Sequence, residues 1–144
     1  MEIPYFESQT IARRAYDRVM QPVCRAWDLS RNELDTLLFL GNNPGLDRAA
    51  DIVRCRGLTK SHVSAAVADL EQRGFLACRK DDADRRSIRL MLTPRGEAVA
   101  EEGRQAQKAF FAELFRGLTE EQLDQWRQMM LTVTDNITRM RKEQ

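Results

Sequence analysis

Residues 58–96, LTKSHVSAAVADLEQRGFLACRKDDADRRSIRLMLTPRG, change hydrophobic period within one short segment, and that change constrains the fold more than any other feature. Val63, Ala66, Val67 and Leu70 follow Thr59 at helical spacing, so a helix capped by Thr59 buries one narrow stripe and stops at Gly74. From there the period falls to two. Ile88, Leu90 and Leu92 alternate with Arg89 and Met91, which predicts a half-buried strand over Ser87–Thr93 paired with a first strand over Phe75–Lys80. The intervening Asp81-Asp82-Ala83-Asp84-Arg85-Arg86 is a long charged turn. Thr93-Pro94 then opens a new helix, with proline at the first helical position, where its missing N–H is no loss.

The face of the helix after Thr59 that lies opposite the buried stripe carries Ser61, Ser64, Ala65, Ala68 and Gln72. A merely solvated face usually carries Lys, Glu or Arg. Small side chains instead let another surface come close to the backbone.

Upstream, Ile11, Ala15, Val19, Val23 and Trp27 mark a helix over 7–27 that Pro22 should kink or divide. Ser30-Arg31-Asn32-Glu33 is a capping box, followed by Leu34, Leu37, Leu38 and Leu40, with Gly41 as the expected stop. Asn42-Asn43-Pro44-Gly45 is turn chemistry. Asp47 should cap a short third helix reaching about Arg56 and ended by Gly57. Downstream, the helix from Thr93-Pro94 should run to about Arg116, with Gly117 ending it. Thr119 and Gln122 form a second capping box. Leu123, Trp126, Met130, Val133, Ile137 and Met140 then repeat at spacings of three and four, a heptad seam that packs on the chain's own core or on a partner.

The fold class that follows is mainly α with a small β-hairpin wing: a winged helix-turn-helix flanked by N- and C-terminal helices. The 144 residues fit a single domain, 1–144, with a lobe at 29–93 and flanking helices at 5–28 and 94–144. No apolar run approaches the roughly 20 residues of a membrane span, and MEIPYFESQT lacks a signal-peptide layout, so the expected location is cytoplasmic and no membrane partner is expected. The three cysteines, Cys24, Cys55 and Cys78, include no CxxC pair, which argues against a disulfide scaffold or zinc ribbon. Cys55 and Cys78 are expected to pack inside. There is no catalytic constellation, phosphate loop or metal spacing, so neither an enzyme nor a cofactor or metal site is expected.

Net charge is only +1, but residues 54–95 hold ten Lys or Arg against five Asp or Glu. A basic segment inside an acidic frame is the electrostatic footprint of a nucleic-acid partner.

The order helix, helix, helix, hairpin, with one helix before and two after, resembles the MarR (multiple antibiotic resistance regulator) family. The family's wing pattern, D-x-R-x5-L-T, is met at all four fixed positions by Asp84, Arg86, Leu92 and Thr93, between "LEQRGFL" and "TPRG". The resemblance spans about residues 8–140. It implies a homodimeric regulator of transcription, a repressor or activator, that binds a pseudo-palindromic double-stranded DNA operator and often loses DNA affinity when a small molecule binds; of the two directions, repression is expected. The flanking helices would then be dimerisation helices.

By that resemblance the fourth helix enters the major groove, with Thr59, Lys60, Ser61, His62, Ser64 and Ala65 on its first two turns. Ser61 and His62 can hydrogen-bond base edges, Ala65 can meet a thymine methyl, and Lys60 suits a phosphate. Many relatives carry Arg near position 65, so the alanine leaves the sequence preference open. His62, the only histidine, is otherwise a surface hydrogen-bonder. Arg86 becomes the wing-tip residue, because arginine suits a narrow minor groove, and Asp84 is expected to orient its guanidinium. Arg85 and Lys80 are expected on phosphates.

The family's ligand crevice lies between the DNA lobe and the dimerisation helices. Tyr16, Trp27, Phe39 and Phe110 are the residues here that would line it for a small aromatic ligand, unless they are plain core aromatics. Some relatives sense oxidants through a cysteine in the first helix, which makes Cys24 the candidate redox residue, provided that its thiol pKa is lowered. A helical protein–protein adaptor on the same scaffold is the remaining alternative.

Overall fold

The structure is a computed structural model and describes residues 5–142; the ends of the expected 1–144 domain, residues 1–4 and 143–144, lie outside the described residues. Among the described residues there are six helices and one hairpin: α1 (Tyr5–Trp27), α2 (Arg31–Asn42), α3 (Ala49–Arg56), α4 (Lys60–Gln72), β1 (Leu76–Lys80), β2 (Ile88–Leu92), α5 (Pro94–Leu114) and α6 (Glu120–Lys142). The chain divides into two compact units between Phe110 and Phe111.

In the first unit, α1 to β2 and most of α5 enclose a core centred on Met20, Leu34, Leu37, Leu38, Ile52, Val63, Leu70, Phe75, Leu76 and Val99. Each large apolar side chain removed from water here contributes about 1.5–3 kcal/mol. Pro22 lies inside α1 and does not end it. It sits on the exposed side, where a carbonyl lacking its donor is solvated. The connection to α2 turns through Asp28 at φ 52°, a left-handed conformation that aspartate tolerates.

The Ser30 box closes as expected: Glu33 N–H donates to Ser30 Oγ at 3.2 Å and Ser30 N–H to Glu33 Oε2 at 2.7 Å. Gly41, the expected stop, is instead inside α2, which runs to Asn42. A Cβ there would lie 3.0 Å from the Ala100 methyl, so glycine admits α5 rather than breaking α2. Asp47 is not the cap of α3. Arg48 occupies that position, and its N–H donates to Asp51 Oδ2 at 3.2 Å. Asp47 is turned toward β2, where its carbonyl accepts from Leu90 N–H at 2.7 Å.

β1 and β2 pair antiparallel from Leu76↔Leu92 to Lys80↔Ile88, one residue shorter at each boundary than the alternation predicted, apart from the Lys80 end. Leu76 and Leu90 are buried beneath the hairpin. Both edges of the ladder are occupied at its middle pair: Cys78 N–H donates to Glu71 Oε1 at 3.2 Å on one side, and Leu90 N–H to the Asp47 carbonyl on the other.

The second unit is built around α6. The Thr119 box closes, with Gln122 N–H donating to Thr119 Oγ1 at 3.2 Å and Thr119 N–H to Gln122 Oε1 at 2.9 Å. Phe115 stacks on Phe111 and meets Trp126 edge-on, at 6.2 and 4.8 Å between ring centroids. Beyond it Val133, Ile137 and Met140 are exposed along the seam. No helix is long and apolar enough to cross a membrane among the described residues.

Candidate nucleic-acid interface

Two elements present the expected DNA-contacting residues. On α4, Val63, Ala66 and Leu70 are buried, while Thr59, Lys60, Ser61, His62, Ser64 and Ala65 are all exposed. The stripe that buries one face of the helix therefore turns its small-residue face outward. Thr59 acts locally, because its Oγ1 accepts from His62 N–H at 3.2 Å and lies 3.2 Å from Ser61 Oγ. It caps the helix and leaves Lys60, His62 and Ser64, whose side chains have no hydrogen-bond or ionic partner among the described residues, as the polar groups facing out.

The other element is the wing. Asp81 N–H donates to the Ser87 carbonyl at 2.9 Å and closes the loop. Two of the three tip aspartates shape it from within. Asp81 Oδ1 accepts from Ala83 N–H and Asp84 Oδ1 from Arg86 N–H, each at 3.1 Å and each two residues on, the geometry of an Asx turn. Asp84 thus holds the backbone of Arg86, not its guanidinium as the sequence suggested. Among the described residues Arg85 and Arg86 make no ion pair, so both exposed guanidiniums remain available. Lys80, at the end of β1, is exposed beside them.

Several contributors were not singled out from sequence. Arg79 is exposed and stands directly opposite Arg89 in the ladder, without a carboxylate partner among the described residues. Its signal was the local excess of cations. Asp81 is almost fully buried: its Oδ2 accepts from Arg48 Nη2 at 2.8 Å and Arg89 Nε at 3.2 Å. The Ala83 N–H, then Arg89 and Arg48, hold its carboxyl below the usual carboxylate range, against the opposing effect of burial. Arg73, at the end of α4, donates to the Trp27 carbonyl at 3.0 Å and lies over Phe75, tying the helix back to α1.

The four aromatic residues expected to line one crevice do not come together. Tyr16 meets Phe110 edge-on at 5.2 Å and its hydroxyl accepts from Gln107 Nε2 at 2.6 Å. Trp27 packs on Phe75 at 6.1 Å and donates to Glu102 Oε2 at 2.9 Å. Phe39 is buried in the core, with the Arg56 guanidinium over its ring. A cleft of about 650 Å³ does open beside α1, between Asp17, Gln21, Cys24, Leu29 and Arg31, and none of the four aromatics lines it.

Burial pushes the Cys24 thiol up despite the opposing Arg31, the reverse of what a redox-sensing thiolate needs. Cys78 is pushed up to about 11 by burial and by Glu71. Cys55 is exposed rather than packed inside. Among the described residues no group of His, Cys, Asp and Glu could hold a metal ion.

Comparison with known proteins agrees with this geometry. The MarR family model matches residues 27–87, which run from the end of α1 to the wing. YpoP, an uncharacterized HTH-type transcriptional regulator of Bacillus subtilis (strain 168), is 23% identical over 120 residues, covering 82% of this chain and 84% of its own. A MarR family transcriptional regulator of Listeria monocytogenes, solved in complex with a 26mer DNA, superposes with a TM-score of 0.82 at 18% identity, over 95% of this chain and 90% of that one. BpsR of Bordetella bronchiseptica, in a structure concerned with regulation of its DNA binding by 6-hydroxynicotinic acid, superposes with a TM-score of 0.64 at 24% identity, over 89% and 98%. The lobe over residues 27–87 thus matches the MarR family model, and the fold is similar to that of MarR family transcriptional regulators.

Proposed function

We propose that the protein is a homodimeric, sequence-specific DNA-binding repressor that acts in the cytoplasm on a pseudo-palindromic operator. The observation that carries this reading is the wing tip. Two of its carboxylates are turned onto backbone N–H groups, and Arg85 and Arg86 are exposed with no ion-pair partner among the described residues, on the same lobe as an α4 face of short side chains. In this reading α4 enters the major groove, Arg86 enters the minor groove, and Arg85, Lys80 and Lys60 meet phosphates. Half-sites then lie about one helical turn apart. Dimerisation is supported by the exposed seam of α6, and α1 and α5 would complete the interface.

Release of the operator by a small aromatic molecule is part of the same proposal, supported by the likeness to BpsR. Tyr16 and Phe110 are the two expected lining residues that meet. Release by Cys24 oxidation is disfavoured by the direction of its thiol pKa.

The test is selection of genomic fragments by the purified protein, followed by titration at several salt concentrations. Arg86→Ala is expected to weaken binding by about 1–3 kcal/mol while the dimer stays folded. Unchanged affinity would remove the assigned role of the wing. Affinity indifferent to salt would favour a protein–protein adaptor instead, since phosphate contacts release counterions.

A further inference from the structure

The wing tip is shaped from within but has little to hold it against the rest of the lobe. Residues 82–86 are all exposed, so no apolar side chain anchors the tip to the core. What does reach it is a chain of four charges. Asp81, at the root of the tip, accepts from Arg48 at the start of α3 and from Arg89 on β2; Arg89 Nη1 continues to Asp47 Oδ2 at 3.1 Å. The quartet is neutral, with two arginines and two aspartates, and it connects the loop before α3 to Asp81, whose other carboxylate oxygen helps to shape the tip.

Half-exposed ion pairs such as these add little to stability, whereas charge-assisted hydrogen bonds are short and directional. The hairpin itself is already held by its ladder and by Leu76 and Leu90 in the core. The directional bonds therefore contribute aim beyond their modest share of cohesion.

We propose that Asp81, through Arg48 and Arg89, is a positioning residue for DNA binding: it fixes the wing tip against the helix-turn-helix, so that Arg86 meets its groove while α4 lies in its own, and Asp81 itself touches no DNA. This rests on the DNA-binding reading above.

The test is a double-mutant cycle on the full chain with a fragment selected by the unmodified protein. Asp81→Ala is expected to weaken binding about fivefold or more in the parent and less than about twofold in the Arg86→Ala background, a coupling that a general loss of fold would not produce. The salt slope of Asp81→Ala should match the parent's, because no phosphate contact is lost. Should Asp81→Ala fail to fold, Asp81→Asn, which keeps the size and one acceptor oxygen, is taken through the same cycle and is expected to show a smaller loss with the same coupling. Additive losses overturn the inference. So does tighter binding with a steeper salt slope, which would mean that Asp81 merely masks Arg48 and Arg89 from phosphates. Either result leaves the DNA-binding reading standing. Failure of the unmodified protein to bind any fragment overturns that reading and the inference with it.

Discussion

The hydroxyl of Thr93 donates to the carbonyl of Gly74 at 2.6 Å, across the turn that joins α4 to the hairpin. The same oxygen accepts from Gly96 N–H at 3.2 Å, and so caps α5. One side chain thus ties the end of α4 to the start of α5. Thr93→Val, nearly the same shape without the hydroxyl, is expected to lower stability by about 1 kcal/mol, and Thr93→Ser to restore most of it. Denaturant titration of the three proteins checks this; equal midpoints would contradict it.

Gly96 faces a backbone atom at closer range than any side chain would allow. A Cβ there would lie 2.0 Å from the Phe75 carbonyl oxygen. Gly96→Ala should therefore force α5 away from the hairpin, at a cost of about 1–3 kcal/mol or more. Gly103→Ala meets the Leu38 side chain at 2.5 Å, which can rotate, and is expected to cost less. Thermal melts of the two variants give the ranking directly.

Asp81 makes the wing sensitive to acid. Its carboxyl is held below the ordinary value by the Ala83 N–H and by Arg89 and Arg48. A carboxyl lowered on folding adds stability above its unfolded value, near 3.9, and loses it as pH falls through the folded value. Stability at neutral pH should thus include this contribution in full, and it should fade below about pH 4. An acid titration should show a shallower low-pH decline for Asp81→Asn than for the parent. Superimposable declines would show that the carboxyl is not linked to folding.

The cysteines should separate by exposure. Cys78, pushed up to about 11, is only about one part in a thousand thiolate at pH 8, and Cys24 is shifted in the same direction. A disulfide reagent at pH 8 is expected to label exposed Cys55 first. Peroxide should release DNA no more readily from the parent than from Cys24→Ser. Mass spectrometry of the labelled peptides and a gel shift with and without peroxide read the two outcomes.

The exposed seam of α6 predicts self-association. Ile137→Glu places a charge in the middle of it and should shift the protein from dimer to monomer in sedimentation, with helix content retained. A dimer of undiminished stability would locate the interface elsewhere.

Much of this architecture was legible because its signals are local. Ser30 with Glu33, Thr59, and Thr119 with Gln122 act on N–H groups within three residues, so their caps could be read from spacing alone. The alternation of Ile88, Leu90 and Leu92 with Arg89 and Met91 likewise located β2, although of the three apolar positions only Leu90 is buried and Ile88 is exposed. Contacts between distant segments were not legible. Asp81 reads as one more acid in a solvated turn until the fold brings Arg48 to it across 33 residues of sequence. Asp47 looked like a cap because aspartate before a helix usually is one; the approach of β2 redirected it. Gly41 and Gly96 carry no sequence sign that separates a helix stop from a close approach. Nor could residue type say which aromatics would meet, since it does not say which helix face will meet which: Tyr16 reaches Phe110, and Trp27 reaches Phe75.

The occupied edges of the hairpin have a consequence for how the protein behaves when crowded. A two-stranded ribbon offers unpaired backbone on both flanks, which is the template on which another chain can add a strand and begin a fibre. Here the outward N–H of Cys78 is taken by the Glu71 carboxylate and that of Leu90 by the Asp47 carbonyl. The middle of the ribbon is thereby closed to strand addition on both flanks, without a third strand to guard it.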